Sequence, residues 1–441
     1  MTFCQLPPFL ATCFTRLATA LDPRSATRLP LLMCGLLFAN GRRTCTAWFR
    51  AADIGDDFRN AYTVVWACGR QAQSMAVRLL PTIDPLLTGP RLLVAIDDTP
   101  TARYGPCIEG AGLHHNPSPG PAGEKFVYGH SWVTLAALAK HPERGTIALP
   151  LLNSLYIRNK DIDKLDADRR PPFRTKLELA ADSLHWLTVW RGRRYQEVWA
   201  VVDGGYSKRP FLQSAKRDQV VVVGRLPKNA ALWSLPVPPP PGRRGRKPLY
   251  GKERLVLHLR AGQERGWEEV ECVQYRRRVS KRVKTFLATW RPAGGVIRVV
   301  LVHEEDSWRA YFCTKAEATV AEVLAAAADR GALEETNKDV KEVWGADEQQ
   351  VRNLAANVGC FNLNGWMYSV VEAWSWQRAD EELVDRQGSP WDEAWRRPSH
   401  ADKRKALRRE LMRAEIAAVV SSGGDVEKWR ELAEQLLALA V

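Results

Sequence analysis

The sequence predicts an α/β protein: a mixed β-sheet with an inserted β-subdomain, flanked by helical N- and C-terminal regions. Three observations predict it. Two short apolar runs end in acids, "RLLVAIDD" (91–98) and "EVWAVVD" (197–203), and read as buried strands. A helix-periodic stretch, 173–190, lies between them, with Leu177, Leu184 and Leu187 on one side. A block of alternating segments, 252–316, follows and reads as further β-structure.

Composition bounds the rest. A chain of 441 residues exceeds one typical domain, and 45% hydrophobic residues suffice for sizeable cores. Lys and Arg outnumber Asp and Glu by 64 to 50, a formal charge of +14. That excess favours a polyanionic partner, nucleic acid before an acidic membrane surface. Nine cysteines are scattered without a C-x-x-C pair or a His cluster, which argues against a zinc site or a disulfide scaffold and for a reducing interior. The longest apolar run, Leu29 to Ala39, is interrupted by Pro30 and Gly35 and closed by Arg42 and Arg43, so it is too short to span a bilayer. No basic n-region precedes an apolar stretch at the N-terminus, and no signal peptide is expected.

Taken in order, residues 1–88 read as a helical DNA-binding region. Thr44 can cap a short helix through Arg50, Ile54-Gly55 makes a turn, and Asp56 can cap the next helix. With Arg42, Arg43 and Arg50 around it, this pair suits a helix-turn-helix reader of DNA; an ordinary helical bundle fits the same pattern. Within 89–230, strands at 91–98, 124–138 and 145–157, a helix at 173–190, and strands at 197–203 and 219–226 follow one another. The order β-β-β-α-β-β is that of an RNase H-like core. Residues 231–316 form the β-rich insertion. It opens with "PVPPPPGRRGRKP" (236–248), where Arg243, Arg244, Arg246 and Lys247 sit on an extended basic loop. Strands are expected at 254–260, 266–278, 284–291, 295–304 and 308–315, with the basic run Arg276 to Lys284 between two of them. Helices return to the core over 317–380. A helical C-terminal region, 381–441, follows a loop near Gly388-Ser389-Pro390 and ends in a short helix after Gly424.

Acids at the ends of strands project into the crevice where α/β sheets bind ligands. Asp97-Asp98 and Asp203 stand there, and Glu334 lies on a helix after the insertion. Alternation along a strand turns only one of Asp97 and Asp98 inward. Hard oxygen ligands on three elements suit Mg²⁺ or Mn²⁺. Two such ions about 4 Å apart can activate an attacking oxygen and stabilise a leaving one at a phosphodiester. Arg330, Glu334, Lys338 and Lys341 share one helix face, as would a solvated stripe of ion pairs.

These segments resemble DDE-type transposases of bacterial insertion sequences, those with a β-strand insertion before the final Glu. "IDDTPTARYG" looks like the first-acid segment, whose aspartate directly precedes Thr, and so assigns Asp98. "VVDGGYSKRPFL" assigns Asp203, and "DRGALEETNKDVKEVWG" assigns Arg330, Glu334 and Lys341. The sequence departs from the family pattern at Ala327, Gly331 and Asn337. The resemblance implies that Asp98, Asp203 and Glu334 are catalytic and hold two Mg²⁺ or Mn²⁺ ions. It implies metal-dependent cleavage at transposon ends, strand transfer into target DNA, and a homodimer on DNA at the bacterial nucleoid in the cytoplasm. Trp308 is a candidate for stacking on a base beside the cut; a core role is its plainer reading, and Trp267 and Trp290 are rivals. An RNase H-fold nuclease that cuts without joining, and a decayed DNA-binding derivative, are the alternatives.

Overall fold

The computed structural model describes residues 6–116, 123–192, 194–237, 248–305, 307–386 and 391–421, together with 429, 430 and 433. Arg243, Arg244, Arg246 and Lys247 lie outside these residues, as do 388–390 and most of the helix expected after Gly424.

Helices come first: α1 (Pro8–Ala18), α2 (Pro23–Phe38), α3 (Cys45–Ala51), α4 (Phe58–Arg70) and α5 (Ala72–Ile83). Asp22 caps α2 by accepting from the N–H groups of Arg24 and Ser25, and Thr44 caps α3. At α4 it is Asp57, not Asp56, that holds the entry position, with its carboxylate bound to Arg28 at 2.8 Å.

The core sheet then builds from β1 (Arg91–Ala102), β2 (Gly112–His115), β3 (Phe126–His141) and β4 (Gly145–Tyr156). Next come α6 (Asn159–Ile162), α7 (Lys176–Trp190), β5 (Glu197–Val202), α8 (Arg209–Arg217) and β6 (Val221–Arg225). The spatial order is β4-β3-β1-β5-β6. The β3 strand runs antiparallel to both β1 and β4, whereas β5 is parallel to β1 and to β6. This is the expected RNase H-like arrangement. One detail differs. The β1 strand does not end at its acids but continues to Ala102, paired throughout with β3. Its parallel partner β5 stops pairing at Ile96↔Val202. The crevice opens where β1 loses that neighbour.

The insertion contains β7 (Leu232–Trp233), β8 (Arg254–Leu255), α9 (Leu257–Gly262), β9 (Glu268–Gln274), β10 (Arg277–Trp290), β11 (Gly295–His303) and β12 (Trp308–Cys313). Its strands extend the core sheet, because β12 pairs with β6 from Tyr311↔Arg225 to Cys313↔Val223. Two expectations are corrected. Residues 254–260 form the short β8 and most of α9; a leucine at every second position over so short a span does not separate strand from helix. The basic run does not form the tip between two strands. Arg277, Arg278, Lys281, Arg282 and Lys284 lie within β10, where Val279 and Val283 join the apolar layer, and the turn is Tyr275-Arg276.

The chain closes with α10 (Val320–Asp329), α11 (Gly331–Glu342), α12 (Leu354–Ser375), α13 (Asp380–Leu383) and α14 (His400–Ser421). One apolar cluster runs from Leu10 of α1 through β1, β3, β4 and α12 to Leu411 of α14. A second, containing Ala95, Trp199, Val201 and Val223, lies on the other sheet face beneath α10 and Leu333 of α11. The N-terminal helices therefore share the main core: α3 buries Cys45, Ala47, Trp48 and Phe49, and α4 lies along α12. The cysteines among the described residues are free, and no described helix is long and apolar enough to cross a membrane.

Candidate active site at the β1–β5 crevice

The register of β1 and β5 brings two acids side by side. Ile96 faces Val202 in the last ladder pair, and Asp97 and Asp203 are the next residues on each chain. Side chains alternate across a strand, and in-register neighbours share a face. Ala95 and Val201 point into the layer beneath α10 and α11, so Asp97 and Asp203 emerge on that side. Arg330, which leads into α11, donates from Nη1 to Asp97 Oδ2 at 2.8 Å, and its Nη2 donates to Glu334 Oε1. Burial, reinforced by the negative charge of Asp203 and opposed by Arg330, pushes the Asp97 carboxyl up to about 6. Asp203 is held by its own turn, where Oδ1 accepts from the N–H groups of Gly205 at 2.8 Å and Tyr206 at 3.2 Å. In front of these groups lies a cavity of about 700 Å³, lined by Asp203, Glu334, Arg330, Arg225, Lys228 and Tyr275 among others.

Asp98 turns the other way. Its Oδ2 receives Lys176 Nζ at 2.5 Å and its Oδ1 the Tyr206 hydroxyl at 3.1 Å. Lys176 is the first residue of α7, fixed by a capping box between Thr175 and Glu178. Burial, together with the charges of Asp98, Asp97 and Asp203, drives the Tyr206 phenol far above its ordinary range, so it stays protonated as a donor. The sequence nominates Asp98, but the structure supplies that residue with a cation and a phenol on the opposite face from Arg330 and Glu334.

The other nominated residues fall in several places. Glu334, Lys338 and Lys341 do share one side of α11; Glu334 is 59% exposed, and Lys338 reaches Glu342 at 3.9 Å. Arg42 and Arg50 are exposed. Arg43 makes internal contacts, with Nη1 donating to the Glu342 carbonyl at 3.2 Å and its backbone N–H bonded to Glu348. Trp308 packs against the main core with Lys228 Nζ 5.0 Å from its ring, and does not line the cavity. Asp97, Lys176, Tyr206, Lys228 and Tyr275 were not nominated. The parallel pairing of 91–96 with 197–202 is what puts Asp97, rather than Asp98, on the side of Arg330 and Glu334, and it exists only once the two strands are placed together.

Among the described residues, no group of three His, Cys, Asp or Glu is already gathered as a metal site. The Arg330 guanidinium stands between Asp97 and Glu334 as the resident cation. The donors on offer are carboxylate oxygens around a buried, underneutralised acid, a set that fits a hard divalent ion rather than a soft one.

No curated protein matches the chain. A family model described as a DDE superfamily endonuclease matches residues 11–292, a span that holds Asp97, Asp98 and Asp203 and ends before Glu334. Nucleases of this superfamily act on DNA with divalent metal ions. Because the match covers well over half of its length, the chain belongs to the DDE superfamily endonuclease family.

Proposed function

We propose that the protein is a transposase whose catalytic acids are Asp97, Asp203 and Glu334. The observation that carries this reading is Arg330, which ties buried Asp97 to Glu334 at the cavity that Asp203 lines. These three carboxylates would hold Mg²⁺ or Mn²⁺, two ions by analogy with this class of chemistry. When bound, such ions polarise a phosphodiester and favour the hydroxide form of attacking water. Arg225, Lys228 and Arg330 present cations to the phosphates of a DNA strand in the cavity. Asp98, held by Lys176 and Tyr206, fixes β1 so that its neighbour faces the crevice. Hydrolysis at an element's end frees a 3′-hydroxyl, and that hydroxyl then attacks a phosphodiester of a second DNA. Cutting two ends together calls for a homodimer on DNA. Lys338 and Lys341 on the Glu334 face, the exposed Arg42 and Arg50, and the basic residues Arg243, Arg244, Arg246 and Lys247 supply further phosphate contacts.

The test is a supercoiled plasmid carrying the element's ends, incubated with Mg²⁺ or Mn²⁺. Asp97→Asn, Asp203→Asn and Glu334→Gln are each expected to lose cleavage by about 1000-fold or more. Asp98→Asn is expected to keep measurable cleavage. Full cutting by Asp97→Asn together with loss in Asp98→Asn would reverse the assignment of the first acid. Cleavage without joined product between two labelled DNAs would reduce the protein to a nuclease.

A further inference from the structure

At the end of the core sheet away from the crevice, a cleft opens between α5 and α7. Its floor is the sheet itself: Leu92 of β1, Ala137 of β3 and Leu151 of β4, all almost fully buried. Leu92 precedes Asp97 by about 16 Å along the strand. Leu80 of α5 and Leu187 of α7 form walls, and Trp190, 53% exposed on the last turn of α7, stands at the mouth. The cavity measures about 280 Å³. Packed cores leave few voids larger than a water. A mostly apolar lining with a few polar groups gathered in one place is the make-up of a small-molecule site.

The polar groups come from the chain that follows α7. Arg191 closes that helix, and Gly192, at φ +72°, turns the backbone so that Arg194 and Tyr195 return to the end of α5. Asp84 is already satisfied there: Oδ1 accepts from the Tyr195 hydroxyl at 2.5 Å and Oδ2 from Arg194 Nη1 at 2.7 Å. Arg194 is committed as well, since its Nη2 donates to the Leu87 carbonyl at 2.8 Å. Arg191 differs. Its Nη1 donates to the Tyr195 carbonyl at 2.7 Å, but among the described residues neither Nε nor Nη2 has an acceptor, and no carboxylate pairs with it. The rim therefore sets two arginines against one aspartate, and the uncommitted charge is the Arg191 fork. A guanidinium edge with two free donors matches a carboxylate through two parallel hydrogen bonds.

We propose that this cleft binds a straight-chain carboxylate of about eight to ten carbons, with its chain between α5 and α7 and its head on Arg191. The length follows from the volume, which is that of about nine waters. The charge follows from the rim: a cationic amphiphile would meet Arg191 and Arg194, and a neutral one would leave the Arg191 fork without an anion. The site shares no lining residue with the cavity at Asp203 and Glu334, and it does not depend on the nuclease reading.

The experiment titrates hexanoate, octanoate, decanoate and tetradecanoate, each below its micelle-forming concentration, into the full-length chain by calorimetry, without DNA or metal. Decanoate is expected to bind as one molecule per chain and to raise the melting temperature. Affinity is expected to rise about 10-fold with each pair of methylenes from hexanoate to decanoate, as more apolar surface is buried. It is expected to stop rising at tetradecanoate, whose tail outgrows the cleft. Arg191→Gln is expected to weaken decanoate about 10-fold and to leave decanol unchanged. Leu80→Trp fills the cleft from a partly exposed wall and is expected to remove binding of both, while the unliganded protein melts no lower than wild type. If Leu80→Trp does not fold, the contrast between decanoate and decanol in Arg191→Gln decides alone. No heat and no melting shift at any chain length would overturn the proposal. So would a decanoate affinity that neither variant changes, or wild type binding decanol as tightly as decanoate. Self-association of wild type that Leu80→Trp abolishes would give the cleft to a second copy of the chain and overturn it too.

Discussion

Asp97 sits in a place that disfavours its own charge. Burial and the nearby Asp203 raise its carboxyl to about 6 from an ordinary value of 3.8, and Arg330 offsets only part of this. Between about pH 4 and about pH 6 the folded state keeps a proton that the unfolded chain has released. Stability therefore falls as pH rises through that window and is flat above it, by about 3 kcal/mol at most. Asp97→Asn should remove the fall, so the variant is expected to be more stable than wild type near neutral pH and similar near pH 4. Denaturant midpoints at the two pH values check this; parallel pH dependence in both proteins would mean that Asp97 is not held in this way. Arg330 yields a second expectation. Its guanidinium occupies the space between Asp97 and Glu334, so Arg330→Ala should bind Mn²⁺ more tightly without DNA, by about 10-fold in calorimetry. Unchanged affinity would place the metal elsewhere. At this scale the sequence was readable where spacing alone decides: Glu334 stands one helical turn after Arg330, and the two do pair. It was unreadable at Asp97-Asp98, because adjacent strand residues face opposite ways and only the neighbouring strands say which way is inward.

The helix pair α3–α4 shows what an element's own sequence leaves out. Its start is legible in Thr44, whose hydroxyl accepts from the Ala47 N–H. Its burial is not, since it depends on α12, about 300 residues further along the chain. The two helices cross through glycines: a Cβ on Gly69 would lie 1.7 Å from the Ala355 carbonyl oxygen, and one on Gly359 would lie 2.0 Å from that of Val65. Backbone cannot yield as a side chain can, so Gly69→Ala is expected to cost about 3 kcal/mol or more in urea denaturation. A change under about 1 kcal/mol would show that the crossing tolerates a wider spacing. The opposite face of α4 is open, with Arg59, Thr63, Trp66 and Arg70 exposed at helical spacing. If this face meets the DNA backbone, replacing Arg59 and Arg70 together by Ala should lower the slope of log Kd against log salt by about 2. An unchanged slope would return α4 to a purely architectural role. The strand order of the core was legible because buried strands and a helix alternate in a telling sequence. The β9–β10 register was not, because long basic side chains hid the inward turn of Val279 and Val283.

Across the whole molecule, the sequence suggested a string of regions, and the packing joins them. The helix α14 docks on α12 through a buried cluster: Glu372 receives Lys403 Nζ at 2.5 Å and bonds His400 Nδ1 at 2.7 Å. Trp344 Nε1 donates to His400 Nε2 at 2.8 Å. Trp344 lies just past α11, so this cluster braces the end of the helix that carries Glu334 opposite its active-site end. Burial alone would raise the Glu372 carboxyl; Lys403 and His400 together hold it down to about 2. Glu372→Gln leaves Lys403 charged and unpaired in the interior and is expected to cost about 3–5 kcal/mol. The apolar cluster that ties α14 to α12 also includes α1 to α5, with Leu10, Phe14, Leu37 and Val65 fully or almost fully buried in it. Were the N-terminal helices a separate DNA-binding domain, they would melt by themselves and the rest would survive their removal. A shared core predicts the opposite. The full chain should unfold in one calorimetric transition, destabilised as a whole by Glu372→Gln, and a chain beginning at residue 89 should expose the α12 surface that α4 covers and fail to give a cooperative melt. Two resolved transitions, with only the later one moved by Glu372→Gln, would show instead that the N-terminal helices fold as a unit of their own.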